Sequence, residues 1–161
     1  MLGGLKMKDT NDNIKKICNF YMSDWHFTVM ILPYINKEIN NKTQIITLFE
    51  KDMTEKVKAL VDKLNLKNKE EILKIKWKNS KVDNFITEFY NNVKNYDKNI
   101  LIINGSNYYI KKINNEIKDI IYKEEFVDKK IKIIDCYDFE YNKENISQII
   151  KEYNRYVKYI W

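Results

Sequence analysis

The sequence predicts an α/β domain of three layers, a mostly parallel sheet with helices on both faces. Short Ile-rich runs alternate along the chain with segments whose apolar residues recur every three or four positions, and such alternation implies parallel strands joined by covering helices. The run NILIING at 99–105 is apolar on both sides of the pleat, as a central parallel strand requires. The 161 residues hold one proline and three glycines, with no linker, internal repeat or low-complexity tract. Residues 1–16 therefore read as an N-terminal extension and 17–161 as one α/β domain.

The elements follow in order. ICNFY (17–21) reads as a first strand. Phe27, Met30, Ile31, Tyr34, Ile35 and Ile39 then mark an amphipathic helix, with Ser23 or Asp24 as N-cap and Pro33 inside it, bending it or breaking a hydrogen bond. TQIITLFE (43–50) is a second strand. Asp52 and Glu55 have capping-box spacing, and Met53, Val57, Leu60, Val61 and Leu64 form one helical face. ILKIKW (72–77) alternates and is expected as a third, more exposed strand. Ser80 is expected to cap a helix with Val82, Phe85, Ile86, Phe89, Tyr90, Val93 and Tyr96 on one face. NILIING follows as a strand, and Ile110, Ile113, Ile117, Ile120 and Ile121 mark the helix after it. KIKIIDCY (130–137) is another strand, Ile146, Ile149, Ile150, Tyr153 and Val157 another helix, and VKYIW (157–161) a last edge strand. The sum is five βα units or so, in a Rossmann-like arrangement.

Composition narrows the function classes. A hydrophobic fraction of 44% is enough for a packed core, and the 32% of charged residues are mixed in sign, unlike a disordered chain. The net charge of +6 raises nucleic acid as a partner. Against it, Arg155 is the only arginine, and the lysines are scattered among Asp and Glu; phosphate and base recognition favours the arginine fork. No stretch nears the roughly 20 apolar residues of a membrane span, and MLGGLKMKDT lacks a signal-peptide core. Cys18 and Cys136 are isolated, which points to a reducing, cytoplasmic location.

In open α/β sheets, ligands bind beyond the carboxyl ends of the strands. That rule selects Tyr21, Asp24, Glu50, Asn104, Ser106, Asn107, Tyr137 and Asp138 as ligand-binding candidates, because these polar groups follow apolar strands. The chain contains neither the GxxxxGK[ST] phosphate loop nor GxGxxG, which speaks against conventional ATP hydrolysis. Ser106 at a helix start is either an anion site or a plain strand-to-helix turn. His26, the single histidine, is expected at the surface or in packing. Cys136 lies between Asp135 and Asp138 and invites a thiol or metal reading, yet strand alternation sends Asp135 and Cys136 to opposite faces. The thiol then serves as a small apolar residue at the end of a buried strand. Tyrosines and tryptophans near strand ends, among them Tyr21, Trp25, Tyr34, Trp77, Tyr108, Tyr109 and Tyr137, line a pocket, cover the sheet or form a subunit interface. No catalytic residue, metal ligand or cofactor is assigned.

Two stretches resemble the MEDS family, a sensory domain of methanogen and methylotroph regulators. The first, ICNFYMSDWHFTVMILPYINKEINNKTQIITLFE, carries the likeness through Cys18, Phe20, Tyr21, Pro33, Tyr34 and the strand Ile45 to Phe49. The second, DCYDFEYNKENISQIIKEYNRYV, carries it through Cys136, Tyr137 and Asp138. The middle of the chain departs from the family at Asn36 to Asn40 and at INGSNYY, where the family favours glycine and small residues. The resemblance implies a RecA-like sheet without working nucleotide-hydrolysis motifs and a ligand-sensing or signalling role. With no room in the chain for an output domain, signalling is expected through a regulatory protein or through homo-oligomerisation. The leading expectation is thus a non-catalytic sensory domain that binds a small ligand or protein partner at the strand carboxyl ends. Two alternatives stand beside it: a hydrolase or transferase using Asp135 or Asp138 with an anion at Ser106, and a nucleic-acid-binding protein using its lysine surface.

Overall fold

The computed structural model describes residues 13–81, 85–123 and 126–153. Its strands are β1 (Ile14–Tyr21), β2 (Thr43–Phe49), β3 (Lys98–Gly105) and β4 (Lys130–Asp138). They pair in the order β1-β4-β3-β2, and every pair is parallel. The helices are α1 (Asp24–Glu38), α2 (Thr54–Val61), α3 (Lys69–Leu73), α4 (Ile86–Val93), α5 (Asn107–Ile121), α6 (Phe139–Asn142) and α7 (Ile146–Tyr153). The expected three-layer, Rossmann-like α/β architecture is what the chain adopts.

Each strand supplies both layers of core because its side chains alternate between faces. On the first face, Ile100, Ile102, Ile134 and Cys136 pack against Phe27, Ile31 and Ile35 of α1, Val57 of α2 and Ile72 of α3. On the second, Leu101, Ile103, Ile131 and Ile133 pack against Phe89 of α4, Ile110, Ile113 and Ile117 of α5, and Ile149 of α7. All eight residues of β3 except Lys98 are buried, so the central strand is apolar on both sides. Fully burying one such Ile or Phe is worth about 1.5–3 kcal/mol.

The connections explain where a crevice must form. From β1 the chain passes through α1 on the first face to β2, at the opposite edge of the sheet. From β3 it passes through α5 on the second face to β4, one strand back in the other direction. A constant hand of crossover puts connections that run in opposite directions on opposite faces. The connection from β2 to β3 runs in the same direction as that from β3 to β4; it leaves β2 along the first face through α2 and α3 and returns over the second face through α4. The carboxyl ends part between β1 and β4 and again between β3 and β2.

The structure corrects three local expectations. The sheet has four strands among the described residues, not five or so. Residues 72–77 do not form a strand: α3 ends at Leu73, and the Trp77 indole N–H folds back to the Ile72 carbonyl at 2.9 Å. The alternation of ILKIKW instead reflects one buried residue, Ile72, in a short helix and another, Trp77, beyond a turn. Ser80 does not cap α4, which starts at Ile86 after Phe85. Its N–H donates to the Phe49 carbonyl at 2.8 Å, and its carbonyl accepts from the Tyr109 hydroxyl at 2.6 Å. Pro33 lies inside α1, where the sequence places it, and the helix runs on to Glu38. Two smaller shifts accompany these. β1 begins at Ile14, inside the supposed extension, and Asp52 receives the Thr54 N–H at 2.9 Å, so α2 begins at Thr54. Val82, Val157 and the expected edge strand at 157–161 lie outside the described residues.

Candidate functional site

All four strand carboxyl ends open into one cavity of about 510 Å³. β1 contributes Tyr21, the turn after β2 contributes Glu50 and Lys51, and the β3–α5 junction contributes Gly105, Ser106, Asn107 and Tyr108. β4 and the helices after it contribute Asp138, Tyr141, Asn142 and Asn145.

The interior is braced by hydrogen bonds between strand ends. The Glu50 N–H donates to the Asn104 carbonyl at 2.9 Å, carrying the β2–β3 ladder one residue past the strand. That places the Glu50 carboxylate at the start of α5, where its Oε1 accepts the Ser106 N–H at 2.7 Å. Ser106 Oγ in turn accepts the Tyr109 N–H at 3.1 Å as the N-cap. Gly105 makes the close approach possible: a Cβ there would lie 2.9 Å from Glu50 Cβ and 2.7 Å from the Tyr109 ring. Such distances leave no room for a side chain.

At the floor, the buried Tyr21 hydroxyl donates to Asn104 Oδ1 at 2.5 Å. Burial, with the Asp138 and Asp24 carboxylates nearby, pushes this hydroxyl well above its ordinary range, so it remains a donor. Asp138 caps α6, its Oδ1 accepting from Glu140 N–H at 2.9 Å and Tyr141 N–H at 3.3 Å. Both bonds fall on Oδ1, and Oδ2 receives none among the described residues. Asn107 has its side-chain oxygen buried without a hydrogen-bond partner. Lys51 pairs with Asp24 at 3.2 Å. The rim carries two open rings, Tyr108 and Tyr141, 70% and 85% exposed.

Five of the eight candidate residues thus line one cavity: Tyr21, Glu50, Ser106, Asn107 and Asp138. Asn104 stands behind them as the partner of Tyr21, and Asp24 stands beside them as the partner of Lys51. Tyr137 points to the second face and meets a different cavity of about 260 Å³. There its hydroxyl pairs with Tyr153 at 2.6 Å. Tyr141, Asn142 and Asn145 escape a strand-end reading because α6 intervenes between β4 and α7. The signal for that helix is Asp138 itself, an N-cap residue type at the end of a strand.

Asp135 and Cys136 diverge as alternation requires. Cys136 is buried in the first-face core and Cys18 in the second, and both are free. Burial, reinforced by Asp135, raises the Cys136 thiol well above its ordinary range and pushes Cys18 up to about 12. Neither is a thiolate at neutral pH, the form that nucleophilic attack and metal ligation need. The carboxylate of Asp135 accepts from Asn114 at 3.0 Å and from the Tyr153 hydroxyl, fully enclosed. His26 Nδ1 accepts the Met22 N–H at 2.8 Å, so its proton sits on Nε2. Among the described residues no group of three or more His, Cys, Asp or Glu is placed to hold a metal ion, and no helix is long and apolar enough to cross a membrane.

No family model, curated protein or solved structure matches the chain.

Proposed function

We propose that this is a non-catalytic ligand-binding domain of the sensory kind, working in the reducing cytoplasm, with its ligand seated at the strand carboxyl ends. The observation that carries the reading is the single cavity into which all four strand ends project polar groups. Its volume falls within the ~300–1,000 Å³ of small-molecule sites. The resemblance of the chain's two ends to the MEDS family supports the sensory role and agrees with the missing phosphate loop.

The lining favours a particular kind of ligand. Glu50 and Asp138 supply carboxylate oxygens, Asn107 an unsatisfied carbonyl, and Lys51 is drawn off by Asp24. Two exposed tyrosine rings flank the mouth. A planar molecule rich in N–H donors meets both features, through hydrogen bonds to the acceptors and stacking on the rings. Of the groups in the hydrolase or transferase reading, Asp138 shares this cavity with Ser106, but Glu50 already holds the Ser106 amide and Asp135 is enclosed outside the cavity, so that reading has less support.

The test is a thermal-shift screen of neutral, cationic and anionic small molecules on the wild type and on Asn145→Trp. Asn145 is an exposed lining residue, so a bulky ring there obstructs the cavity without entering the core. A ligand at a hundred times its Kd adds about 2.7 kcal/mol, or a rise in Tm of about 5 °C or more in a chain of this size. The expected outcome is such a rise in the wild type and its loss in Asn145→Trp. No active compound, or equal rises in both proteins, contradicts the proposal.

A further inference from the structure

The amino end of the sheet carries a feature that the strand-end site does not use. The strand register sets Lys15 of β1 directly across from Lys132 of β4, and Lys98 of β3 directly across from Lys130 of β4. Partners in register share a face, and residues two apart on one strand share it too, so all four lysines stand on the first face. Together with Asn13 and Ile131 they line a cavity of about 330 Å³. Like charges directly opposite each other destabilise a sheet, and here two such pairs lie side by side.

The surroundings do little to neutralise them. Glu38, at the end of α1, reaches Lys98 at 3.1 Å and Lys37 at 3.9 Å. Asp97, next in sequence to Lys98, faces Lys129 instead, at 3.9 Å. Lys132 is half-buried and donates to the Tyr34 hydroxyl at 3.1 Å, a neutral partner. Burial lowers the Lys132 ammonium first, Lys98, Lys15 and Lys37 lower it further, and Glu38 opposes them. Among the described residues, the four lysines of the cavity and Lys37 beside them therefore share one carboxylate, with Lys98 and Lys132 partly buried.

We infer that this amino-end cavity is a binding site for a compact polyanion bearing phosphate groups, held by Lys15, Lys98, Lys130 and Lys132. A small anion fits better than a nucleic-acid strand, because the lysines converge on a hollow beside α1 and do not run along a surface. This site lies at the opposite end of the strands from the cavity of the proposed function and rests on none of that reading.

The experiment is calorimetric titration with sodium tripolyphosphate at ionic strength held constant with chloride. A parallel titration uses a ten-nucleotide single-stranded oligothymidine, which carries its phosphates as diesters along a strand. The proteins are the wild type, Lys15→Gln/Lys132→Gln and, as a control, Lys58→Gln/Lys118→Gln, which removes equal charge from exposed positions of α2 and α5. Saturable tripolyphosphate binding that weakens tenfold or more in the first variant and less than twofold in the control supports the inference. The first variant should also melt at or above the wild-type temperature without anion, since it removes one lysine from each side of a repelling pair. Absence of saturable binding overturns the inference, as does equal weakening in both variants. Tighter binding of the oligothymidine than of tripolyphosphate overturns the compact-anion assignment in favour of a nucleic-acid strand.

Discussion

Gly105 is the residue on which the carboxyl-end cavity turns. It lets Glu50 and Tyr109 close over the β3–α5 junction, and the Glu50 carboxylate then caps the amide of Ser106. Tyr109 has little freedom to yield, because its hydroxyl is bonded to Ser80. Gly105→Ala should therefore cost about 1–3 kcal/mol through overpacking, read as a lower denaturant midpoint at unchanged slope. A midpoint within error of the wild type would mean that the junction is looser than these distances indicate. The sequence pointed to this neighbourhood, since polar residues after apolar strands are visible without a structure. It did not reveal the pairing of Glu50 with Ser106, 56 residues apart, because no local pattern encodes a contact between two strand ends. The fate of Cys136 was legible: alternation alone separates it from Asp135.

Among the elements, α7 is held to the sheet by an unusual anchor. Tyr153, its last residue, donates to the enclosed carboxylate of Asp135 and meets Tyr137. Removing that hydroxyl with Tyr153→Phe leaves two buried polar groups without their partner, a loss of about 1–3 kcal/mol. The carboxylate also couples this helix to pH. Burial raises Asp135 above the ordinary carboxyl range, and Lys16 of β1 and the bonds from Tyr153 and Asn114 lower it part of the way back. Cys18, Tyr137 and Tyr153, the other titratable groups around it, are all raised and stay neutral. The folded protein thus holds this proton to higher pH than the unfolded chain does. Linkage then makes the Asp135 contribution full below about pH 4 and declining as pH rises through the folded value. Asp135→Asn keeps an acceptor for Asn114 and removes the titration. The stability of the wild type minus that of Asp135→Asn should fall as pH rises above about 4; a difference independent of pH would contradict the assignment. Most elements were legible from apolar periodicity. The strand expected at 72–77 was not, because alternation over six residues fits a short helix and turn as well as an exposed strand.

At the scale of the whole molecule, the parallel sheet gives the protein two chemically different ends. Every strand begins near one end and finishes at the other. Glu50 and Asp138 gather at the carboxyl end, and Lys15, Lys98, Lys130 and Lys132 at the amino end. A net charge of +6 conceals this division. Lysines that look scattered along the chain converge only once the strand order β1-β4-β3-β2 brings three strand starts together. The proposed ligand seat lies at the carboxyl end. Its most direct test is mapping of backbone amide chemical shifts during titration with a stabilising, non-anionic compound. The largest changes are expected at Glu50 and Lys51, at Gly105 to Tyr108 and at Asp138 to Asn145. Changes centred instead on Lys16, Asn114 and Tyr153, or on the lysines of the amino end, would contradict it.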